Sequence, residues 1–430
     1  MKYCKRCLYP SNHPLNITFD EQGVCSGCRV HEEKDILDWA ERKEKLGKIF
    51  DEYRSTARHA YDCIIPVSGA RDSYFIVHVV KNIFKMHPLL VTYNKHYNTK
   101  MGIRNLAYLE SIFGCDLISC TVSPERVKRI TRESLRRRAS MYWHCLAGTT
   151  VFPVQMAVNL KVPLVVWGAH QGCDQVGMFS HLDEVEMTRK YRKEHDLMGL
   201  EAEDLVRGAK EITIEDMKPY IYPHDKELES VGVRGIYLNN YVRWDSKAQH
   251  EMMIGKFEYE TMPQQRTFDT YNDVDCFHYS GLHDYIKFVK WGYGKVTDHA
   301  CREIRLKRLS REQGIELVRK YQNTYPKDLV LFLDWLGMDE KEFWGHIDRF
   351  RDSRIWKKDE RGRWVLQDSI LNHAGDEGAD DVRLEINQEK CDFQISRNKE
   401  PELVDDKHIL IGRACVDTGH LPGVIKRYPL

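Results

Sequence analysis

Short apolar runs alternate with longer segments of helical period along the first 170 residues. The apolar runs are Tyr61–Val67, Leu89–Tyr93, Asp116–Thr121 and Leu164–Trp167, and helical stretches near Tyr74–Met86, Asn105–Phe113 and Phe152–Leu160 fall between them. Strands that are apolar throughout and separated by helices are typical of a parallel sheet covered on both faces. We therefore predict a doubly wound, Rossmann-like α/β domain over residues 59–200.

The pattern changes on either side of this domain. Residues 33–58 are charged and helical in period, which predicts a linking helix, and residues 201–350 predict a mainly helical domain for a substrate or partner. Breaks are expected at Gly232–Gly235 and Gly292–Gly294. Residues 351–430 predict a small β-rich tail of unknown role, with strands at Val382–Ile395 and His408–Val416.

Two C-x-x-C pairs lie near the N-terminus, Cys4 with Cys7 and Cys25 with Cys28, and seventeen residues separate them. Each pair can direct two thiolates from a tight turn to one ion, and four thiolates complete a tetrahedral zinc shell. Because a closed shell leaves no position for water, we expect a structural Zn²⁺ in a zinc ribbon over residues 1–32. A functional metal and a redox disulfide pair are the alternatives.

The charge balance limits the choice of partners. Basic and acidic residues number 65 each, so no global field draws the chain to nucleic acid. No apolar stretch approaches the ~20 residues that span a bilayer, and we expect a cytoplasmic protein without a membrane partner. The basic stretch Arg126–Arg138 is either a solvated helix face or a surface for phosphate or a partner.

The loop Ser68–Ser73, with the sequence SGARDS, follows the first apolar run at the point where a strand would turn into a helix. Backbone N–H groups at such a junction point outward and favour an anion. Gly69 allows a close backbone approach, and Ser68 and Ser73 carry hydroxyl donors. Asp72 suits a helix cap or a Mg²⁺ partner. These residues alone fit an ordinary strand–turn–helix junction equally well.

The loop resembles the S-G-G-x-D-S loop of PP-loop ATP pyrophosphatases, and the chain resembles the N-acetyl sugar amidotransferases of surface-polysaccharide and nonulosonic-acid biosynthesis. The matching segments, in the family's order, are the cysteine ribbon, VTYNKHYNTKMGIRNL (Val91–Leu106), FGCDLI (Phe113–Ile118), PLVVWG (Pro163–Gly168) and HDYIKFVKWGYGKVTDHACREIR (His283–Arg305). Together they cover about residues 1–320. Ala70 departs from the family's glycine, and Ala169 stands where glutamate is expected.

The resemblance implies an adenine nucleotide alpha hydrolase type of fold, with ATP, Mg²⁺ and the structural Zn²⁺ as cofactors. In that family the oxygen of a sugar N-acetyl group attacks the α-phosphate of ATP, and ammonia converts the adenylated imidate to an acetamidino group. The candidate nucleotide-binding residues are Val67, Ser68, Gly69, Asp72, Ser73, Asn94, Trp167 and Gly168. The candidate catalytic residues are Arg71, Asp72, Lys295, Asp298, His299 and Arg302.

The same resemblance implies partners. The substrate would be a nucleotide-linked N-acetyl sugar for lipopolysaccharide O-antigen or a related glycan. The chain begins Met1-Lys2, without the N-terminal cysteine of a fused glutaminase. We therefore expect ammonia from a separate glutaminase subunit like that of the histidine pathway, together with a cyclase-like barrel.

Two other functions stay open. A tRNA-thiolating PP-loop enzyme would use Arg126–Arg138 for RNA and would need a catalytic cysteine pair, for which Cys145 and Cys173 are the nearest candidates. A non-catalytic ATP-binding relative would keep the fold, with turnover removed by Ala70 and Ala169. Seen as a bare pattern, the candidate segment Lys290–Arg305 is also compatible with a solvated helix face.

Overall fold

The structure is a computed structural model that describes residues 1–54, 61–276 and 278–376. Its strands are β1 (Cys63–Pro66), β2 (Pro88–Tyr93), β3 (Leu117–Cys120), β4 (Leu164–Trp167), β5 (Arg234–Tyr237), β6 (Trp356–Lys358) and β7 (Trp364–Leu366). The first four coincide with the four predicted apolar runs, which confirms the mixed α/β character of the chain.

Strands β1 to β5 form a parallel sheet in the order β3-β2-β1-β4-β5 within the described residues. Ile65 of β1 pairs with Leu90 of β2, and Ile64 is in register with Val165 of β4. The strand order reverses between β1 and β4. In open parallel sheets a crevice forms at such a reversal, outside the carboxyl ends of the strands.

The α-helices of the described residues are mostly short after β4. They are α1 (Ser26–Glu33), α2 (Trp39–Tyr53), α3 (Arg71–Val77), α4 (Lys100–Phe113), α5 (Pro124–Arg138), α6 (Trp143–Leu160), α7 (Gln171–Asp174), α8 (Arg189–Tyr191), α9 (Ala202–Val206), α10 (Ile214–Met217), α11 (Asp225–Val231), α12 (Ser246–Phe257), α13 (Leu282–Trp291), α14 (Lys295–Arg305), α15 (Arg311–Tyr321), α16 (Leu329–Leu336) and α17 (Glu340–Asp348). Two π-helical turns, His78–Ile83 and Arg192–Asp196, continue α3 and α8, and 3₁₀ turns occupy His181–Asp183, Lys218–Tyr220, Leu238–Asn240 and Ile370–Asn372.

Helices cover both faces of the sheet. Ile65 points to the face packed by Phe50 of α2 and Val77 of α3, whereas Ile64 points to the face packed by Phe152 of α6. All five of these residues are buried. The two faces agree with the apolar character of the strands, since a parallel strand buried on both sides needs no polar alternation.

The prediction of a glycine-rich break at Gly232–Gly235 was only half right. Gly232 ends α11 with a left-handed backbone (φ +73°) that favours glycine. Gly235, however, lies within β5, where a β-carbon would stand 2.6 Å from Cβ of Met187. This glycine therefore marks a close approach within a strand.

The C-terminal half packs on the N-terminal cysteine segment. Leu8 and Tyr9 share a buried cluster with Val296 and Ile304 of α14 and Ile315 of α15. Strands β6 and β7 form an antiparallel hairpin. The strands predicted at residues 382–395 and 408–416 lie outside the described residues. None of the described helices combines the length and the apolar character that a bilayer crossing demands.

Candidate functional site

The four N-terminal cysteines converge on one point. Cys4, Cys7, Cys25 and Cys28 are all buried, and their Sγ atoms lie within 4.8 Å of one another. The Cys7 and Cys25 Sγ atoms are 3.6 Å apart. A tetrahedral zinc with Zn–S bonds of ~2.3 Å needs sulfur atoms roughly 3.8 Å apart, so the cluster could hold a structural zinc.

The Ser68–Ser73 loop leaves β1 and begins α3. The Ser68 N–H donates to the Ser73 hydroxyl at 2.8 Å, and the Ala70 N–H donates to the Ser68 hydroxyl at 3.2 Å. The two serine hydroxyls therefore act inside the loop, where they hold its turn. Ala70 is the N-cap of α3, and its side chain cannot accept a hydrogen bond. The backbone N–H groups in the first turn of α3 therefore receive no cap from this residue.

Gly69 and Ala70 differ in their need for glycine. A β-carbon on Gly69 would lie 2.0 Å from the carbonyl oxygen of Gly102, which lies in the first turn of the neighbouring helix α4. Gly69 is therefore required by its packing on α4. Ala70 has φ −96° and ψ 160°, an extended conformation open to any residue, so alanine fits the backbone here without strain.

A cavity of about 210 Å³, called here the central cavity, lies between the loop after β1, the loop after β4 and helix α14. All six candidate catalytic residues line it: Arg71, Asp72, Lys295, Asp298, His299 and Arg302. The cavity lies beside the reversal of strand order between β1 and β4. Residues more than two hundred positions apart in the chain thus line one cavity.

Three cationic groups of the central cavity are each held by a carboxylate. Arg71 is paired with Asp72, the Lys295 ammonium contacts Asp273 at 2.6 Å, and the Arg302 guanidinium donates to Asp269 at 2.8 Å. Asp298 accepts from Tyr9 at 3.0 Å and from Lys287 at 2.5 Å. The charged groups therefore keep partners inside the protein, which offsets the cost of removing them from water.

Asn272 connects helix α14 to the loop after β1. Its Oδ1 accepts from Arg71 Nε at 2.6 Å, and its Nδ2 lies 3.3 Å from His299 Nε2. His299 Nδ1 lies 2.7 Å from the hydroxyl of Thr267. Burial lowers the pKa of His299 well below its usual range, so this ring is neutral and both of its nitrogens are engaged.

The carboxyl of Asp72 has a raised pKa although its side chain is partly exposed. Its side chain is 42% accessible and opens into the central cavity. The surrounding protein nevertheless desolvates the carboxyl and raises its pKa, Asp273 and Asp174 add to the rise, and Arg71 opposes it. A divalent cation near Asp72 would relieve this repulsion, and Mg²⁺ takes one or two protein carboxylates beside phosphate oxygens.

The candidate nucleotide-binding residues divide among several places. Ser68, Gly69 and Asn94 line a cavity of about 200 Å³ at the carboxyl ends of β1, β2 and β3, called here the β1–β3 cavity. Asp72 lines the central cavity. Trp167 lines a third cavity of about 130 Å³ at the carboxyl ends of β4 and β5, called here the β4–β5 cavity.

Three further candidates support these walls. The Val67 N–H donates to the Val91 carbonyl at 2.9 Å, and Ser73 is bonded to Ser68 as described. The Gly168 carbonyl accepts from the Asn239 N–H at 3.3 Å. The central and β4–β5 cavities share Ala169 in their linings.

Several residues of the central cavity had no signal in the sequence. They are Tyr9 from the cysteine segment, Asp174 and Gln175 from α7 and the residue after it, and Asn272, Asp273 and Tyr279 from the loop before α13. Each carries a polar group, and all but Asp174 lie outside the helices and strands. Only the tertiary fold brings these segments to α14, so no spacing within the chain could have indicated them.

The basic helix α5 is engaged within the protein. Arg129 pairs with Asp216 at 2.7 Å, Arg137 pairs with Glu133 at 2.5 Å, and Arg132 donates to the Leu336 carbonyl at 2.7 Å. These bonds tie α5 to residues around 216 and 336. The side chains of Arg129, Arg132 and Arg136 are nevertheless 33–50% exposed, so the solvated helix face and the surface for phosphate or a partner both stay open.

Comparison with known proteins identifies two similar segments. Residues 265–370 match the family model described as the LPS biosynthesis protein WbpG-like, C-terminal domain. This segment contains α13 to α17 and supplies Asn272, Lys295, Asp298, His299 and Arg302 to the central cavity. The match gives the chain a context in lipopolysaccharide biosynthesis. The matched segment ends at residue 370, beyond residue 320, where the motifs described in the sequence analysis end.

A second similarity is to the uncharacterised protein MJ1599 of Methanocaldococcus jannaschii. The two chains are 25% identical over 118 residues, which are 27% of this chain and 41% of that protein. The match thus spans about two fifths of the relative's length.

Proposed function

We propose that this chain is an ATP-dependent amidotransferase that converts an N-acetyl group of a nucleotide-linked sugar to an acetamidino group, in lipopolysaccharide O-antigen or related glycan biosynthesis. The observation that carries the proposal is the central cavity. It joins Arg71 and Asp72 of a loop that resembles a pyrophosphate-binding loop to Lys295 and Arg302 of a segment similar to a lipopolysaccharide-biosynthesis domain.

The proposed reaction has two steps whose atoms balance. The N-acetyl oxygen attacks the α-phosphorus of ATP, forming an O–P bond as the bond to the β-phosphate oxygen breaks and pyrophosphate leaves. Ammonia then adds to the imidate carbon, AMP departs with the former acetyl oxygen, and loss of protons leaves the amidine. Adenylation is needed because an amide oxygen is otherwise a poor leaving group.

The cavity's residues suit the charge that develops in the first step. Arg71, Lys295 and Arg302 place three cationic groups around one space, where preorganised donors stabilise a departing pyrophosphate. Asp72 and Asp273 would hold Mg²⁺, which neutralises phosphate charge when bound. With Mg²⁺ bound there, the partners of these carboxylates, Arg71 and Lys295, would be available to contact the phosphates. The second step requires ammonia rather than water, so water would have to be excluded once the substrates are bound.

The supply of ammonia completes the proposal. A separate glutaminase subunit with a cyclase-like barrel would deliver it, and the reaction would take place in the cytoplasm, where ATP and sugar nucleotides are available.

No described residue set other than the four cysteines brings three metal-binding side chains within 4.8 Å of one another. We expect Mg²⁺ to enter with ATP, since this ion commonly relies on substrate phosphates for its ligands.

The thiolating alternative gains no support from the two candidate cysteines. Cys145 is fully buried and Cys173 is 1% exposed. Burial raises the pKa of both thiols, that of Cys173 to about 12, so neither is an activated thiolate. The basic helix that this alternative would need for RNA is paired internally.

Pyrophosphate release tests the proposal. The chain is incubated with ATP, Mg²⁺, ammonium and a panel of nucleotide-linked N-acetyl sugars, and the sugar product is examined by mass spectrometry for exchange of O for NH. We expect pyrophosphate release that depends on one of the sugars and is accompanied by that exchange. ATP binding without release under any of these supplies would instead identify a non-catalytic relative.

A further inference from the structure

The β4–β5 cavity has aromatic walls and lies next to the central cavity. Trp167, Tyr191, Tyr222 and Tyr237 all line it. It shares Ala169 and Gln171 with the lining of the central cavity. Its volume of about 130 Å³ is close to that of an engineered cavity of ~150 Å³ that holds one benzene molecule. One six-membered ring fits such a space.

Residues that line this cavity carry buried hydrogen-bond donors without partners. Arg192 is 4% exposed, and its guanidinium uses Nε on Thr150 at 3.0 Å and Nη1 on Glu201 at 2.5 Å. Its Nη2 has no hydrogen-bond partner among the described residues, and neither does the buried Nε1 of Trp167. A buried donor without a partner costs about 1–3 kcal/mol, so these groups call for an oxygen atom from a ligand.

His170 adds a third donor. Its ring is 1% exposed, and burial lowers its pKa to about 4, so it is neutral near pH 7. The Gly172 N–H donates to His170 Nδ1 at 3.1 Å, which places the ring proton on Nε2. Nε2 is buried and has no partner within the part of the chain that the structure describes.

The combination indicates the class of ligand. Three donors and the carboxyl of Asp196 suit a ring rich in hydroxyl and carbonyl oxygens, and aromatic walls suit its apolar C–H faces. The charge of Arg192 is already paired with Glu201, which disfavours a dianionic phosphate here. The cavity therefore fits a single uncharged sugar ring better than a nucleotide phosphate.

We propose that the β4–β5 cavity binds the pyranose ring of the N-acetyl sugar, with Arg192, His170 and Trp167 as its hydrogen-bond donors. The acetamido group would extend past Ala169 and Gln171 into the central cavity. This assignment rests on the proposed amidotransferase function. It divides the sheet edge into a nucleotide side at β1 to β3 and a sugar side at β4 and β5.

The test measures sugar binding separately from chemistry. The full chain is titrated with N-acetylglucosamine, N-acetylgalactosamine and N-acetylmannosamine, and binding is followed by saturation-transfer NMR. Trp167→Phe keeps the aromatic wall but removes one donor, and Arg192→Lys keeps the positive charge but removes the free Nη2. We expect the wild type to bind at least one of the sugars and each variant to bind it about five- to tenfold more weakly.

Matched controls and a third variant secure the result. Trp344→Phe and Arg129→Lys change the same residue types away from this cavity and should bind the sugar like the wild type. Asp196→Asn preserves shape and should also weaken binding, which covers the case in which another variant fails to fold. Circular dichroism and thermal unfolding verify that each variant is folded.

The outcomes separate the two proposals. Absence of binding for all three sugars, or equal binding by wild type and variants, overturns the sugar site. If pyrophosphate release depends on a sugar whose KM the variants leave unchanged, the amidotransferase stands and the sugar site falls. If the variants weaken sugar binding but no pyrophosphate is ever released, the sugar site stands and the amidotransferase falls.

Discussion

Arg71 Nε donates a hydrogen bond of 2.6 Å to Asn272 Oδ1, and this bond joins the loop after β1 to the segment before α13. Arg71 is also paired with its neighbour Asp72. Asn272 in turn contacts His299 on α14. The position of the Arg71 guanidinium is thus determined by a residue two hundred positions away in the chain.

Replacing Asn272 should therefore impair pyrophosphate release more than ATP binding. Asn272→Ala leaves the Arg71 guanidinium without its partner, and a small misplacement of a catalytic group lowers rates by as much as ~100-fold. We expect the rate of sugar-dependent release to fall about 10- to 100-fold, with nearly unchanged ATP affinity. Asn272→Asp keeps the acceptor for Arg71 and should restore part of the rate. The exposed Asn159→Ala is the control, and an equal loss of ATP affinity in Asn272→Ala would refute the positioning role.

Asp284 should be a major determinant of stability. Its carboxylate is 2% exposed, accepts from the fully buried Arg266 at 2.7 Å, and accepts from the Lys295 backbone N–H at the start of α14. Asp284→Ala leaves the Arg266 charge buried and unpaired, which costs about 3–5 kcal/mol.

Urea unfolding measures this effect on the free energy of unfolding. Asp334→Ala, at an exposed position of α16, should stay within about 0.5 kcal/mol of the wild type. A loss at Asp284 no larger than that at Asp334 would contradict the assigned role.

Zinc removal should loosen helix α14 as well as the cysteine segment. Leu8 and Tyr9 lie between the cysteines and α14 in one buried cluster. Cys28→Ser should lower the zinc content from about one ion per chain to none, because a structural site requires all four thiolates. Elemental analysis measures the metal, and hydrogen exchange should become faster in Lys295–Arg305. Cys115→Ser is the control, and unchanged exchange in α14 would rule out the coupling.

Asp196 should make stability depend on pH. Burial raises its pKa from 3.8 to about 7, against the opposing effect of Arg192. The folded state therefore binds more protons than the unfolded state between these values, and stability falls as the pH rises through this window. Asp196→Asn removes the effect, so its melting temperature should exceed that of the wild type by more at pH 8 than at pH 4. A difference that is the same at both pH values would show that Asp196 is not responsible.

Ala169 should control the connection between the central and β4–β5 cavities, since it lines both. Ala169→Leu adds a bulky side chain at their junction and should abolish sugar-dependent pyrophosphate release while ATP still binds. Ala248→Leu, at an exposed position of α12, is the matched control. Normal release by Ala169→Leu would mean that the acetamido group does not pass this residue.

The sheet was largely predictable because its signal is local. Four apolar runs identified β1 to β4, and a strand buried on both faces needs only a short run of such residues. β5 was missed because two of its four residues, Arg234 and Gly235, are not apolar. The structure shows that Gly235 is needed for close packing on Met187, which the sequence does not reveal. The helical spacing of charged residues in Lys290–Arg305 likewise indicated a helix, and in the structure α14 begins at Lys295.

The candidate site was predictable only in part. The loop and α14 were each identified, but nothing in their spacing brings them together, and Asn272 between them has no local signature. At Ala70 the family pattern gave an expectation that the backbone does not require. A glycine requirement was expected from the family pattern, whereas the backbone at this position is extended and Gly69 carries the steric constraint.

The cysteine segment contributes a side chain to the central cavity. The Tyr9 hydroxyl donates to Asp298 at 3.0 Å and accepts from Gln175 at 3.0 Å, while Arg305 spans from the Gln175 carbonyl to within 3.7 Å of Cys25 Sγ. If the cluster holds zinc, a chain made without the metal would keep its parallel sheet but lose one wall of the central cavity. Under the proposed function, the zinc supply of the cell would then limit how much of the sugar is modified.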